Sequence, residues 1–361
     1  MKKILAMLLV AALTLTAFAG CGSKEGTEGS SKAPADLGSV YSSMSTEKQF
    51  IVPDDIQAVK SAEKLTIGLA MAYGVTTPFY KSLADAIKAE AEADGATVIM
   101  ADCESDAQKQ VSKLEAFIAQ DVDGIIVLPA DPNTAITLVL QKAYDAGIPV
   151  MTIDVPASED AKYMASFTTD AYQLGYAVGE QLAKELLAAH PAGDIPYGLI
   201  GGTEGNPTPT ARNQGMRDAI KEIDTEGRIK EAVFLYANAF TEESGLKTAE
   251  NMLVAHPDLM AILGTCDAHV VGATAAAKRQ GLDANIIMGG VDGSKAAMQI
   301  MKDGGPIKVL ALNSPIDVGT CAARSMIAYL AGGIAPASKM MVIKGGVVTP
   351  DNVDQYIENA F

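Results

Sequence analysis

Several residues able to do chemistry share one position in this chain: each follows closely on a short apolar run. Asp154 follows "VMTI", Asp292 follows "IMGGV" and Asn313 follows "VLAL". Thr168, Thr169 and Asp170 come after "MASF", and Thr265, Cys266 and Asp267 after "AILG". Beyond "LIGG" lie Asn206 and then Arg212, within "TARNQGM"; beyond "FLYANA" comes Phe240. After the first run, "KLTIGLAMA", stand Thr76, Thr77 and Pro78, then the adjacent rings of Phe79 and Tyr80. An ionised Asp accepts hydrogen bonds from two neighbouring hydroxyls, and Arg donates a planar fork of them. Aromatic faces cover apolar C–H surfaces. Each charge-assisted bond contributes roughly 1.5–3 kcal/mol. If these positions converge, they suit a polyhydroxylated small molecule, and no group among them needs to transfer a proton.

Other chemistries lack their residues. There is no GxGxxG after the first run, no GxxxxGK[ST] and no GxSxG. "LIGGTEGNPTPT" has glycines but carries two prolines and no Lys, which argues against a phosphate cradle. His190, His256 and His269 are scattered, so neither a metal site nor a Ser-His-Asp triad is expected. Cys103, Cys266 and Cys321 are far apart and form no CxxC, which reads as single buried thiols. No cofactor, metal or catalytic group is expected. The net charge of −16 disfavours nucleic acid, whose phosphates need clustered Lys and Arg.

The elements that must position these residues follow from periodicity. The runs "LTIGLAM", "ATVIMA", "DGIIVLP", "IPVMTID", "KYMASF", "YGLIG", "EAVFLY", "MAILG", "NIIMGGV" and "IKVLAL" are rich in Val and Ile without polar alternation, as strands buried on both faces are. Amphipathic stretches such as "PFYKSLADAIKAEAEADG" separate them. The resulting βαβα order implies an α/β fold of parallel sheets with helices on both faces. With 361 residues, two doubly wound sheets of about five strands fit better than one wide sheet. Ligands of such folds bind beyond the carboxyl ends of the strands, where the residues above stand.

The first residues read as a processing signal. "MKK" is a basic start, and "ILAMLLVAALTLTAF" is an apolar stretch of fifteen residues, short for a membrane span. It ends in "FAGC", which resembles a bacterial lipobox and implies cleavage before Cys21 and lipidation there. "GSKEGTEGSSKAPAD" then reads as a flexible tether, and 31–63 has no strong pattern and reads as loose packing or more tether.

Taken in order, "TTPFYKSLADAIKAEAEADG", "DGIIVLPADPNTA", "GIPVMTID", "TARNQGM", "HPDLMAILGTCDAHVVGA", "GGVDGS" and "LNSPIDVG" resemble the ribose-binding protein group of periplasmic solute-binding proteins of ABC importers, over about residues 64–345. The resemblance implies two Rossmann-like lobes joined by a three-segment hinge and closing over a ligand, with crossings near Thr169, Asn313 and Met341–Ile343. The expected parts are a signal peptide over 1–20, an anchored tether and extension over 21–63, a first lobe of 64–168 plus 314–342, and a second lobe of 169–313 plus 343–361. The implied function is reversible binding of a sugar or polyol by an extracytoplasmic, lipid-anchored monomer that serves a membrane permease. Two alternatives stay open: a sensory binding protein for a furanosyl signal or nucleoside, and a secreted α/β carbohydrate-active enzyme.

By the same resemblance, Phe79 and Tyr80 match an aromatic pair that sandwiches the sugar, and Asp154 an acid that binds hydroxyls. Arg212 matches the Arg of an R-x-x-G motif, Phe240 an aromatic of the second lobe, and Asp292 and Asn313 an acid and amide near the hinge. The departures are Val155 after Asp154 where the family usually has Arg, Cys266 where it usually has Asn, Thr77 where Asn often precedes Pro-Phe, and Pro129 at an often polar position. Each removes polar contacts, which argues against ribose itself and for a less hydroxylated, modified or differently shaped ligand. Thr76, Thr169, Asn206 or Asn238 would then supply replacements.

Overall fold

A computed structural model describes residues 36–361 with the exception of Thr76. The expected signal peptide, the lipidation at Cys21 and the role given to Thr76 lie outside the described residues. The strands are β1 (Ser45–Ile51), β2 (Leu65–Met71), β3 (Ala96–Asp102), β4 (Gly124–Val127), β5 (Val150–Ile153), β6 (Ala165–Thr168), β7 (Ile195–Gly201), β8 (Ile229–Tyr236), β9 (Ala261–Gly264), β10 (Ile287–Asp292), β11 (Ile307–Leu312), β12 (Ser338–Ile343) and β13 (Val347–Val348). They form two sheets, ordered β1-β12-β6-β5-β4-β2-β3 and β13-β11-β10-β9-β7-β8. All pairings are parallel except that of β13 with β11.

The strands expected from the apolar runs are present. The central ones, β4, β5, β6 and β9, are buried along their whole length, as strands covered by helices on both faces must be. In each sheet an inner strand is flanked on both sides by the next two strands of the chain: β2 lies between β3 and β4, and β7 between β8 and β9. Crossovers leave such a sheet on opposite faces at that point and open a crevice beyond the carboxyl ends of the strands.

The chain passes between the sheets three times: after β6 into the helix Ala171–Ala189, after β11 into the helix Pro315–Gly332, and from β12 to β13. Two expectations are corrected here. Ile343, expected at the head of the second lobe's final segment, ends β12 in the first sheet, so the third crossing falls at 344–346. Residues 45–51, expected to pack loosely or extend a tether, form the edge strand β1 in register with β12. Six of its seven residues are exposed, so main-chain pairing holds it and no apolar pattern marks it in the sequence. Lys48 of this strand reaches Asp170 at 2.6 Å, and the N–H of Lys344 donates to the Ile51 oxygen at 2.8 Å. The strand is thereby fastened to two of the three crossings.

Helix caps set where each strand-end residue stands. Asp170, Ser294 and Ser314 accept backbone hydrogen bonds at the starts of the helices Ala171–Ala189, Lys295–Lys302 and Pro315–Gly332. Thr169 and Asn313 are thus held on short links between a strand and a capped helix, and Asp292 at the end of β10, just before such a link. Asn206, considered as a ligand contact, caps the helix Pro207–Ile223 by accepting from the Thr208 N–H at 3.0 Å. That helix carries Arg212. It packs against Ala171–Ala189 at a point that only a glycine allows: a Cβ at Gly175 would lie 2.0 Å from the Arg212 backbone oxygen. We predict that Gly175→Ala pushes the helices apart, lowers stability by about 1–3 kcal/mol as overpacking does, and weakens ligand binding by moving Arg212. Thermal melts and titrations of the variant check this.

Candidate ligand-binding cleft

Arg212 anchors the site. Its side chain is 7% exposed, Nη1 donates to the Thr265 backbone oxygen at 2.9 Å, and Nη2 lies 3.1 Å from Oδ1 of Asp292. The same Oδ1 accepts from Nδ2 of Asn313 at 3.0 Å, and Oδ1 of Asn313 accepts from the Thr169 hydroxyl at 2.8 Å. Thr169, Asn313, Asp292, Arg212 and Thr265 therefore form one continuous hydrogen-bonded chain. It begins on two crossing segments and ends in the second lobe.

Asp154 faces this chain from the first lobe. It occupies a left-handed backbone conformation, with φ of 62°, and Asp292 has φ of 117°. Non-glycine residues held there cost about 1–3 kcal/mol, a strain that concentrates at functional sites. The surroundings fix Asp154 through its N–H to the Phe167 oxygen at 2.8 Å and its own oxygen accepting from the Thr168 hydroxyl at 2.7 Å. Burial pushes its carboxyl up to about 6; Arg212 opposes the rise and Asp292 adds to it. Asp292 is also raised by burial, against the pull of Arg212 and the Asn313 hydrogen bond.

Aromatic residues cover the first-lobe side. Phe79 and Tyr80 begin the helix Pro78–Ala93 and pack against the first core. Their rings meet edge to face at 5.3 Å, and Tyr80 stacks on Tyr73 at 4.9 Å. Burial raises the Tyr80 phenol, with the negative charges of Asp154 and Asp292 adding to the rise. Asp154, Arg212 and Asp292 thus feel one another's charge across the two lobes, with the neutral Tyr80 phenol beside them.

The remaining expected residues divide. Cys266 is buried against the site, and its thiol is raised well above the ordinary range, first by burial and then by Asp292 and Asp267. It is a neutral thiol with weak hydrogen-bonding capacity and no character of a nucleophile. Thr77 is an exposed residue at the start of its helix and makes no side-chain cap bond. Phe240 is 43% exposed and stacks on His269 at 6.1 Å, where the Nε2 of His269 contacts the Ala239 oxygen at 2.7 Å. Neither Thr77 nor Phe240 joins the hydrogen-bonded chain.

Sequence reasoning missed Tyr73 and named Asp267 at its strand end without giving it a role in the site. Tyr73 stands two residues after β2, where the strand-end rule would have found it. Asp267 is buried, accepts from the Ser294 N–H and borders Asp292, and burial followed by the Asp292 charge raises its carboxyl.

A family model described as a periplasmic binding protein domain matches residues 67–334. The ribose import binding protein of Bacillus subtilis is 30% identical over 241 residues, which are 67% of this chain and 74% of that protein. The galactofuranose-binding protein of Escherichia coli is 26% identical and covers 86% of this chain and 97% of its own length. Among solved structures, a galactofuranose binding protein superposes with a TM-score of 0.71 at 26% identity, covering 82% of this chain and 98% of that one. A Mycobacterium smegmatis ABC transporter solute binding protein with bound glycerol gives 0.70 at 27% identity, covering 82% and 97%. By its two parallel-sheet lobes and the match across its folded part, the chain belongs to the periplasmic binding protein family.

Proposed function

We propose that this protein is the solute-binding component of an ABC importer and encloses one sugar or polyol between its lobes. The observation that carries the reading is the buried chain from Thr169 to Arg212 facing Asp154 and the Tyr80 ring. Carboxylates accept from ligand hydroxyls, the guanidinium and amide donate, and the rings of Phe79 and Tyr80 take an apolar face. Binding is reversible. A ligand touching both lobes stabilises the closed arrangement by its differential affinity for it.

Val155 and Cys266 remove polar groups from the cleft and favour a ligand that is less hydroxylated than ribose, modified or differently shaped. Among relatives, the galactofuranose binders support a furanose. A thermal-shift screen over furanoses, pentoses, deoxy sugars and polyols tests the class. A ligand at 100 times its Kd stabilises the protein by about 2.7 kcal/mol, and a flat response to every member contradicts the proposal. Replacing Cys266 by Asn restores an amide beside Asp292. The expected result is a two- to tenfold gain in ribose affinity, the worth of about one net hydrogen bond, measured by calorimetric titration.

Lipidation at Cys21 would hold the protein at the outer face of the membrane, near its permease. Metabolic labelling with a fatty acid tests it: label on the wild type and none on Cys21→Ser supports the anchor, and an unlabelled wild type refutes it.

A further inference from the structure

The second lobe meets the Phe79 ring with an aromatic that lies outside the matched region, residues 67–334. The backbone oxygen of Phe361 accepts from the N–H of Lys295 at 2.9 Å. Lys295 begins the helix that Ser294 caps, so Phe361 is tied to the helix start three residues after Asp292. The preceding segment is seated in the second core through Ile357, with Tyr356 and Ala360 packed against it. From this base the Phe361 ring meets Phe79 edge to face, with centroids 5.6 Å apart and planes at 88°. Phe79 itself packs against the first core. The resemblance to the family had placed the second-lobe aromatic at Phe240, which instead lies open and stacked on His269.

We propose that Phe361 is the second-lobe aromatic that closes the cleft over Phe79, acting as a latch whose strength does not depend on the ligand. This rests on the reading of the protein as one that closes around its solute. Phe79 and Phe361 belong to different lobes, so opening must separate them and closing must rejoin them. An edge-to-face pair biases that equilibrium by about two- to tenfold toward closure. Apparent affinity scales with the competent fraction, so the latch tightens binding of every ligand by one common factor. A residue that touches ligand atoms would change different ligands by different factors.

The test measures lobe separation without ligand. Spin labels go at Lys88→Cys and Lys278→Cys, exposed positions on helices of the two lobes, in a full-length Cys21→Ser background; Cys103, Cys266 and Cys321 are buried. Double electron–electron resonance should show longer distances for Phe361→Ala and for Phe79→Ala, and no further lengthening when the two are combined. Phe361→Leu, which keeps apolar bulk for folding, should melt like wild type and still shift toward longer distances. Wild-type distances in Phe361→Leu, or effects of the two Ala variants that simply add, would overturn the latch. Titration with D-ribose, galactofuranose and myo-inositol completes the test: every probe that binds wild type should lose affinity for Phe361→Ala by the same factor, and unequal losses would overturn it. If no probe binds wild type, the sugar reading fails while the distance measurement still decides the latch.

Discussion

Arg212→Met should abolish measurable ligand binding and lower stability by about 3–5 kcal/mol, the cost of leaving one member of a buried ion pair unpartnered. The side chains of Arg212 and Asp292 are 7% and 15% exposed, so water restores little of what Asp292 loses. The guanidinium also holds the Thr265 oxygen. Methionine fills the space but satisfies neither acceptor. The stability loss and the binding loss have separate causes, and a second substitution separates them. Asp292→Asn added to Arg212→Met removes the stranded charge and should recover most of the stability. It should recover no binding, because the guanidinium fork is gone and an amide oxygen accepts more weakly than the carboxylate it replaces. Urea melts and calorimetric titrations of the two single variants and the double check each part. A double variant that melts like Arg212→Met alone would show that the pair is not the source of the cost.

Acid should weaken ligand binding with a midpoint set largely by Asp154. Its carboxyl is pushed up to about 6 by burial, and hydroxyls of a ligand donate to the ionised form. Below about pH 6 binding must first remove a proton, so affinity falls by up to tenfold per unit of pH. Asp292 and Asp267 are raised as well, by burial, and steepen the profile where they take part. The sign for folding is the opposite. A carboxyl whose folded pKa lies above its unfolded value near 3.8 contributes stability that is complete below that value and is lost as pH rises through about 6. Asp154→Asn removes both dependences. Relative to wild type, this variant should gain stability as pH rises from 4 to 7, lose affinity at pH 7.5 by at least tenfold, and show a flatter affinity profile between pH 5 and 7. Thermal melts and titrations across that range measure all three, and a wild-type affinity unchanged from pH 7 to 5 contradicts the assignment.

The fold was legible because its signal is repeated: a run rich in Val and Ile buried on both faces, then an amphipathic helix, again and again. β1 escaped because an exposed edge strand, "STEKQFI", shows no apolar period and declares itself only by pairing with β12. The region of the candidate site was legible through one topological rule, that ligands gather beyond strand carboxyl ends. Partnerships within it were not. Nothing local indicates that Thr169 donates to Asn313, or that Asp292 is shared between Asn313 and Arg212, because these contacts join segments remote in the chain. Asn206 shows the opposite limit. Its type suits a ligand or a helix cap equally, and the proline that follows it, opening the helix, favours the cap. Phe361 could not be found from sequence, since its role depends on where the second lobe carries it.

The most direct measurement is a crystal structure of the protein grown with the sugar that gives the largest thermal shift. The account predicts one ring between the lobes, its hydroxyls within hydrogen-bonding distance of Asp154 and of the Asn313–Asp292–Arg212 chain, and its apolar face against Phe79 or Tyr80. A sugar bound anywhere else, or a cleft left empty beside a sugar that shifts the melt, would contradict it.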